Sequence, residues 1–196
     1  MSSPLHIGLL LCHTFEPILE QVGGLNYPAI FRNQFLAIDH NIRFTDFKAY
    51  TGELPNNVDQ CDVWLINGSP AGVYEDIEWI HQLSDFIKQL DKVKKPTFGI
   101  CFGHQLMAQV LGGKVSLSHK GWGIGASHNK VVEHASFMQP KAEMIDVMVF
   151  HQDQVVQLPK GAKVLASSDF CPNYMVQYNP HMLSIQGHPE FNTQMV

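Results

Sequence analysis

Charge is scarce in this chain of 196 residues: Asp, Glu, Lys and Arg make up 16%, against about a quarter in ordinary globular domains. Basic residues are the scarcer sign, 13 Lys and Arg against 18 Asp and Glu, for a net charge of −5. With no basic stripe to neutralise phosphates, nucleic acid is not expected as a partner. Long hydrophobic runs are also missing. The longest near the start, Ile7 to Cys12, is six residues, far below the roughly 20 a membrane-spanning helix needs. No Lys or Arg precedes Arg32, so neither a secretory signal nor membrane association is expected. The four cysteines, Cys12, Cys61, Cys101 and Cys171, form no C-x-x-C pair. That excludes a disulfide framework or a zinc ribbon, and the expectation is free thiols in a reducing cytoplasm. No Gly-rich loop carries a phosphate-binding Lys, and no two histidines share helical ligand spacing with a nearby carboxylate. Neither a nucleotide cofactor nor a metal is expected.

What is present is a pattern of short apolar runs alternating with helical stretches, and a hydrophobic content of 45% that excludes a disordered chain. Leu5–Cys12 reads as a strand buried on both faces. A loop containing Gly23 and Gly24 follows, then Asn26 and Pro28, which suit a helix start, with Ile30, Phe31, Phe35 and Ile38 as its apolar stripe. Ile42–Ala49 and Cys61–Ile66 read as further strands. Glu75, Asp76 and Glu78 open a long helix with Ile77, Ile80, Leu83, Ile87 and Leu90 at helical spacing, closed before Pro96. Thr97–Ile100 is predicted as a strand and Phe102–Leu111 as a helix stopped by Gly112 and Gly113.

Beyond Lys114 only short strand-like runs remain: Lys114–Leu117, Lys130–Glu133, Asp146–Phe150, Lys163–Ser167, Tyr174–Tyr178 and Met182–Gln186. No linker interrupts the chain, so residues 1–196 read as a single domain. The order predicts an α/β fold: a mostly parallel central sheet flanked by helices, with an additional small antiparallel sheet.

The sharpest local signal is Gly99-Ile100-Cys101-Phe102-Gly103-His104-Gln105, which has the glycine spacing of a nucleophile elbow with sulfur in place of oxygen. A nucleophile on a tight strand-to-helix turn sits in strained backbone, and glycine two residues to either side lets chain segments approach without a clashing Cβ. The helix that follows aims its free N–H groups at the sulfur, which favours the thiolate and offers the Phe102 amide to an oxyanion. A thiol nucleophile also needs a base and an orienting group. Among 11 histidines, His188-Pro189-Glu190 stands out at the end of an apolar strand. Pro189 biases His188 towards extended backbone, where residues two apart share a face, so Glu190 is expected beside the imidazole. The remaining cysteines and histidines read as structural or solvated.

Gly-x-Cys-x-Gly-His-Gln, followed about ninety residues later by His-Pro-Glu-Phe, resembles the class I (triad) glutamine amidotransferases. Residues 67–74, Asn-Gly-Ser-Pro-Ala-Gly-Val-Tyr, resemble the oxyanion loop of that family. Residues 151–155, His-Gln-Asp-Gln-Val, resemble its His-x-Asp-x-Val segment, and residues 121–125 resemble the segment preceding that. The resemblance implies the flavodoxin-like fold of the family and a Cys101–His188–Glu190 triad that attacks a γ-glutamyl amide through a thioester. It implies an oxyanion hole from Gly68, Ser69 and Phe102, and substrate contacts from Gln105, Gly123, Gln152 and Asp153. The family usually has Gly-Gly-Pro in the oxyanion loop, whereas Ser69 stands here at the second glycine.

The expected activity is hydrolysis of the γ-amide of glutamine or of a related γ-glutamyl compound by a stand-alone, GMP-synthase-like member, with a small molecule as partner. Two alternatives stay open: a glutaminase subunit feeding ammonia to a separate synthetase, and a silent binding relative. A homodimer is open as well.

Overall fold

Strands that are apolar on both faces must be covered on both sides, and the chain supplies a helix layer for each face. The computed structural model of the protein describes residues 3–14 and 26–191, so the loop glycines Gly23 and Gly24 lie outside the described residues. In chain order the elements are β1 (His6–Leu10), α1 (Tyr27–Leu36), β2 (Arg43–Phe47), β3 (Val63–Ile66), α2 (Glu78–Lys92), β4 (Thr97–Ile100) and α3 (Phe102–Val110). There follow β5 (Lys114–Leu117), β6 (Gly123–Val131), β7 (Met144–His151), β8 (Asp153–Gln157), β9 (Lys163–Ser167), β10 (Met175–Asn179) and β11 (Met182–Ile185).

Nine strands form one mixed sheet in the order β2-β1-β3-β4-β11-β10-β9-β6-β7, and β5 pairs with β8 in a separate two-stranded antiparallel sheet. Pairing is parallel from β2 through β11 and antiparallel from β11 outward. The strand-like runs beyond Lys114 therefore mostly extend the central sheet, and the additional small sheet is β5 with β8. No helix among the described residues is long and apolar enough to cross a membrane.

Strand periodicity sorts the core. Leu10, Trp64 and Ile66 point to the side of α2 and α3, where Ile80, Leu83, Phe86, Ile87 and Leu90 form the buried stripe of α2. Their neighbours Leu9, Leu65 and Ile100 point to the opposite side, against Tyr27 and Phe31 of α1. Each fully buried aliphatic or aromatic side chain stabilises the fold by about 1.5–3 kcal/mol relative to exposure. The Asn26 side chain caps α1 by accepting from the Ala29 amide at 3.0 Å, with Pro28 in the first turn. That helix ends at Leu36, one residue before its cap, so Ile38 falls off the expected stripe and is 83% exposed.

Two other expectations shift. β6 begins at Gly123 and runs nine residues, far longer than the run Lys130–Glu133 read as a strand. Most of its residues are small or polar, with Ile124 and Val131 the large apolar ones, and they alternate between exposed and buried or half-buried. Pairing with β7 over eight positions, rather than hydrophobicity, makes this a strand. Asp153–Gln157, read only as part of a motif, is a strand for a similar reason: β5 pairs with it.

Candidate active site

In the sheet order β3-β4-β11, the carboxyl ends of three adjacent parallel strands meet at one edge. Open parallel sheets place their ligand sites there. β3 ends in Asn67 and Gly68, β4 ends in Cys101, and β11 leads into His188. The ladder is in register up to the site, with Ile185 opposite Ile100, and the Cys101 amide donates to the Ile185 carbonyl at 2.9 Å.

Cys101 takes φ 51° and ψ −101°, a conformation that L-residues rarely adopt and that costs on the order of 1–3 kcal/mol. The packing that enforces it runs through the two glycines. A Cβ at Gly103 would lie 2.5 Å from the Ile66 carbonyl oxygen, and one at Gly99 would lie 2.6 Å from the Gly103 carbonyl carbon. No side chain fits at either position, so α3 packs directly onto β3 and β4 and turns the Cys101 side chain into the site. Cys101 occupies the cap position of α3 without a capping hydrogen bond from its side chain, which sets the thiol at the positive end of the helix.

His188 is buried and hydrogen-bonded through Nδ1 to Glu190 Oε1 at 2.8 Å, and Glu190 is only 1% exposed. Burial alone would lower the imidazole pKa. The interaction with the Cys101 sulfur, followed by the Glu190 hydrogen bond and charge, outweighs burial and pushes it up to about 10. The arrangement favours a protonated imidazole between Cys101 and Glu190. The Phe191 ring stacks on the imidazole at 4.2 Å, almost parallel, a placement that also favours the charged ring.

The His188–Glu190 pairing expected from the sequence is present, but not for the expected reason. Residues 188–191 form a turn closed by the Phe191 amide donating to the His188 carbonyl at 3.1 Å, not an extended segment. The His188 amide is meanwhile held by the Met148 carbonyl of β7 at 2.8 Å.

Gly68 lies against the imidazole edge: a Cβ there would be 2.9 Å from His188 Cε1 and 3.6 Å from Cys101 Cβ. Positive φ is not required at residue 69, since Lys94 and Cys101 are the non-glycine residues with positive φ among those described. Ser69 therefore sits in ordinary backbone, and its hydroxyl accepts from the Ala71 amide at 3.2 Å. The loop is anchored by fully buried Asn67. Its side chain accepts from the Cys12 amide at 2.6 Å and donates to the His13 carbonyl at 3.2 Å, tying the end of β3 to the end of β1.

The other expected substrate contacts gather on the β7–β8 side. Gln105 is buried, and its amide nitrogen donates to the Asp153 carbonyl at 2.9 Å and to Gln186 Oε1 at 3.1 Å. Gly123 permits a close approach, because a Cβ there would meet Phe170 at 2.7 Å and His151 Nε2 at 3.4 Å. Gln152 and Asp153 are half-buried. Among the described residues, Asp153 Oδ1 and His151 Nε2 are buried without a close hydrogen-bond partner. Burial lowers the pKa of His151 to about 4, so its ring is neutral at physiological pH. The remaining thiols, Cys12, Cys61 and Cys171, are buried structural groups whose pKa values burial pushes up. Tyr27 was not singled out by any sequence signal, yet its hydroxyl lies beside Glu190.

Comparison with known proteins fits this geometry. The family described as Glutamine amidotransferase class-I matches residues 29–195. Gamma-glutamyl peptidase 3 of Arabidopsis thaliana is 35% identical over 76% of this chain and 64% of its own length. Gamma-glutamyl peptidase 4 of the same plant is 34% identical over 85% of this chain and 70% of its own. The chain thus spans about two thirds of the length of these relatives. A crystal structure of a glutamine amidotransferase from Thermotoga maritima superposes with a TM-score of 0.80 at 23% identity, covering 97% of this chain and 80% of that one, a likeness of fold. The chain belongs to the class I glutamine amidotransferase family.

Proposed function

We propose that this protein is a stand-alone thiol hydrolase that cleaves the γ-glutamyl amide bond of glutamine or a γ-glutamyl compound, with Cys101 as nucleophile, His188 as proton carrier and Glu190 as its orienting partner. The observation that carries the reading is the convergence of a strained Cys101, at φ 51°, with a buried His188–Glu190 pair bonded at 2.8 Å. Membership of a family whose relatives include γ-glutamyl peptidases supports the choice of bond.

The chemistry follows from the charges. The Cys101 thiolate attacks the γ-carbonyl carbon, and the electron pair of the C=O bond moves onto oxygen. In this reading the Phe102 amide, with Gly68 or Ser69, stabilises that oxyanion. His188, protonated beside the thiolate, gives its proton to the leaving nitrogen as the C–N bond breaks, releasing ammonia or an amine and leaving a glutamyl thioester. The neutral imidazole then takes a proton from water, the hydroxide attacks the thioester, and the returning thiolate leaves glutamate free. Glu190 holds the imidazole through Nδ1 throughout, so Nε2 faces the reacting atoms.

The test is an assay of the purified protein with glutamine and with γ-glutamyl peptides, measuring ammonia, amine and glutamate together. Turnover of at least one of these without ATP is expected, and Cys101→Ala abolishes it. A folded protein whose Cys101 reacts with alkylating agents, yet which turns over substrate only when a second protein is added, would instead be an ammonia-delivering subunit.

A further inference from the structure

We infer that Tyr27 is a positioning residue for this site: its hydroxyl donates to the Glu190 carboxylate and its ring braces Phe191, so that helix α1 holds His188 against Cys101. The inference rests on the proposed roles of His188 and Glu190. It concerns a residue outside the span of 29–195 that matches the family.

Three independent contacts tie α1 to the turn at residues 188–191. The Tyr27 hydroxyl lies beside the Glu190 carboxylate. The Tyr27 ring lies 6.3 Å from the Phe191 ring, which itself stacks on His188 at 4.2 Å. One helical face further along, Gln34 Nε2 donates to the Pro189 carbonyl at 3.0 Å. On the opposite side, the turn is held by the His188 amide bonded to Met148 of β7. The turn that carries the base and its carboxylate is therefore clamped between α1 and β7.

A carboxylate that is 1% exposed needs donors for both oxygens. Oε1 accepts from His188 Nδ1 at 2.8 Å, and Oε2 has no hydrogen-bond partner among the described residues. The phenol beside it is the donor that we infer serves this oxygen. Burial first, then the charges of Glu190, Cys101 and Cys12, hold the Tyr27 hydroxyl well above its ordinary pKa, so it remains a donor throughout the physiological range. The hydroxyl also borders the oxyanion loop, 3.6 Å from where a Cβ on Gly68 would stand. One side chain thus touches the surroundings of all three strand ends. Without its hydroxyl, Glu190 keeps a buried oxygen unpaired and gains freedom to rotate away from His188.

The test is Tyr27→Phe, which keeps the ring and removes the donor. With a γ-glutamyl substrate that the parent turns over, kcat is expected to fall by roughly tenfold, the size of one lost hydrogen bond to a charged group, with KM little changed. The rate at which iodoacetamide alkylates Cys101 falls in parallel. In a Glu190→Gln background the same substitution has almost no further effect, because the hydroxyl acts through the carboxylate. Phe31→Leu is the packing control. Phe31 stacks on Tyr27 at 5.9 Å, so this change trims packing around α1 and lowers the melting temperature but keeps the Tyr27 hydroxyl, and alkylation slows less than in Tyr27→Phe.

Unchanged kcat and alkylation in Tyr27→Phe would overturn the inference and leave the proposed activity standing. Additive losses in the Glu190→Gln background, equal slowing by Phe31→Leu, or failure of Tyr27→Phe to fold would also overturn it, since the residue would then be structural. If the parent hydrolyses no γ-glutamyl compound but alkylation still slows in Tyr27→Phe, the clamp is sustained and the proposed reaction is what fails.

Discussion

Cys101 and the three other cysteines differ by environment, not by chemistry. Cys12 and Cys171 sit in apolar surroundings, where burial raises the pKa beyond the ordinary range for Cys12 and to about 12 for Cys171. Burial also raises Cys61, to about 11. Cys101 is the thiol whose interaction raises the pKa of His188. A glutamine-like chloroketone is therefore expected to label Cys101 well before the others, as read by peptide mass spectrometry of the native protein. Equal labelling of Cys12, Cys61 or Cys171 would contradict the assignment. The same pair predicts a titration. Cys101 is the largest influence raising His188 to about 10, and burial opposes it. The His188 ring should therefore stay protonated from pH 6 to 8 in the parent, as read by imidazole NMR. In Cys101→Ala the raising charge is gone and burial remains, so the same ring is expected to lose its proton at lower pH than in the parent.

At the scale of the element, the β4–α3 elbow is a packing problem solved by two glycines. Gly103→Ala would press a methyl group against the Ile66 carbonyl, where backbone cannot yield cheaply. The expected result is destabilisation of about 1–3 kcal/mol, measured by denaturant unfolding, together with loss of activity as the elbow opens. Gly68→Ala presents a different case. Its Cβ would meet the far edge of the His188 ring at 2.9 Å, and a ring can move where backbone cannot. Stability should change little while kcat falls, because the imidazole is displaced from Cys101. Similar losses of stability in the two variants would refute this distinction.

Across the whole molecule, the sheet order determines what is near what. Residues 68, 101 and 188 are far apart in the chain and meet because β3, β4 and β11 are neighbours. The helices on either face play unequal parts. α2 buries Leu83, Ile87 and Leu90 completely and contributes stability, whereas α1 contacts the turn that carries the base. Leu83→Ala should therefore cost about 2–5 kcal/mol and lower the melting temperature by several degrees. At temperatures where that variant remains folded, its Cys101 alkylation rate should match the parent's. A slowed rate there would mean that α2 also shapes the site.

Local composition was enough to determine the strand Thr97–Ile100, the elbow at Cys101, the long α2 stripe and the parallel start of the fold. In each, the residue pattern and the structure obey the same nearest-neighbour physics: period, glycine spacing, capping. The pairing of His188 with Glu190 was legible as well, although a turn and not an extended segment brings them together. Tertiary structure decided the rest. β6 and β8 are strands because partners pair with them, so their own residues carry little signal. Asn67 looks like an ordinary turn residue until β1 is placed beside β3 to receive its hydrogen bonds. Tyr27 lies 163 positions from Glu190, and only the docking of α1 onto the sheet brings its hydroxyl to that carboxylate. A sequence displays interactions made within a turn or two of chain. Those made across the sheet depend on which elements become neighbours, and that is settled by how both faces of the sheet are buried.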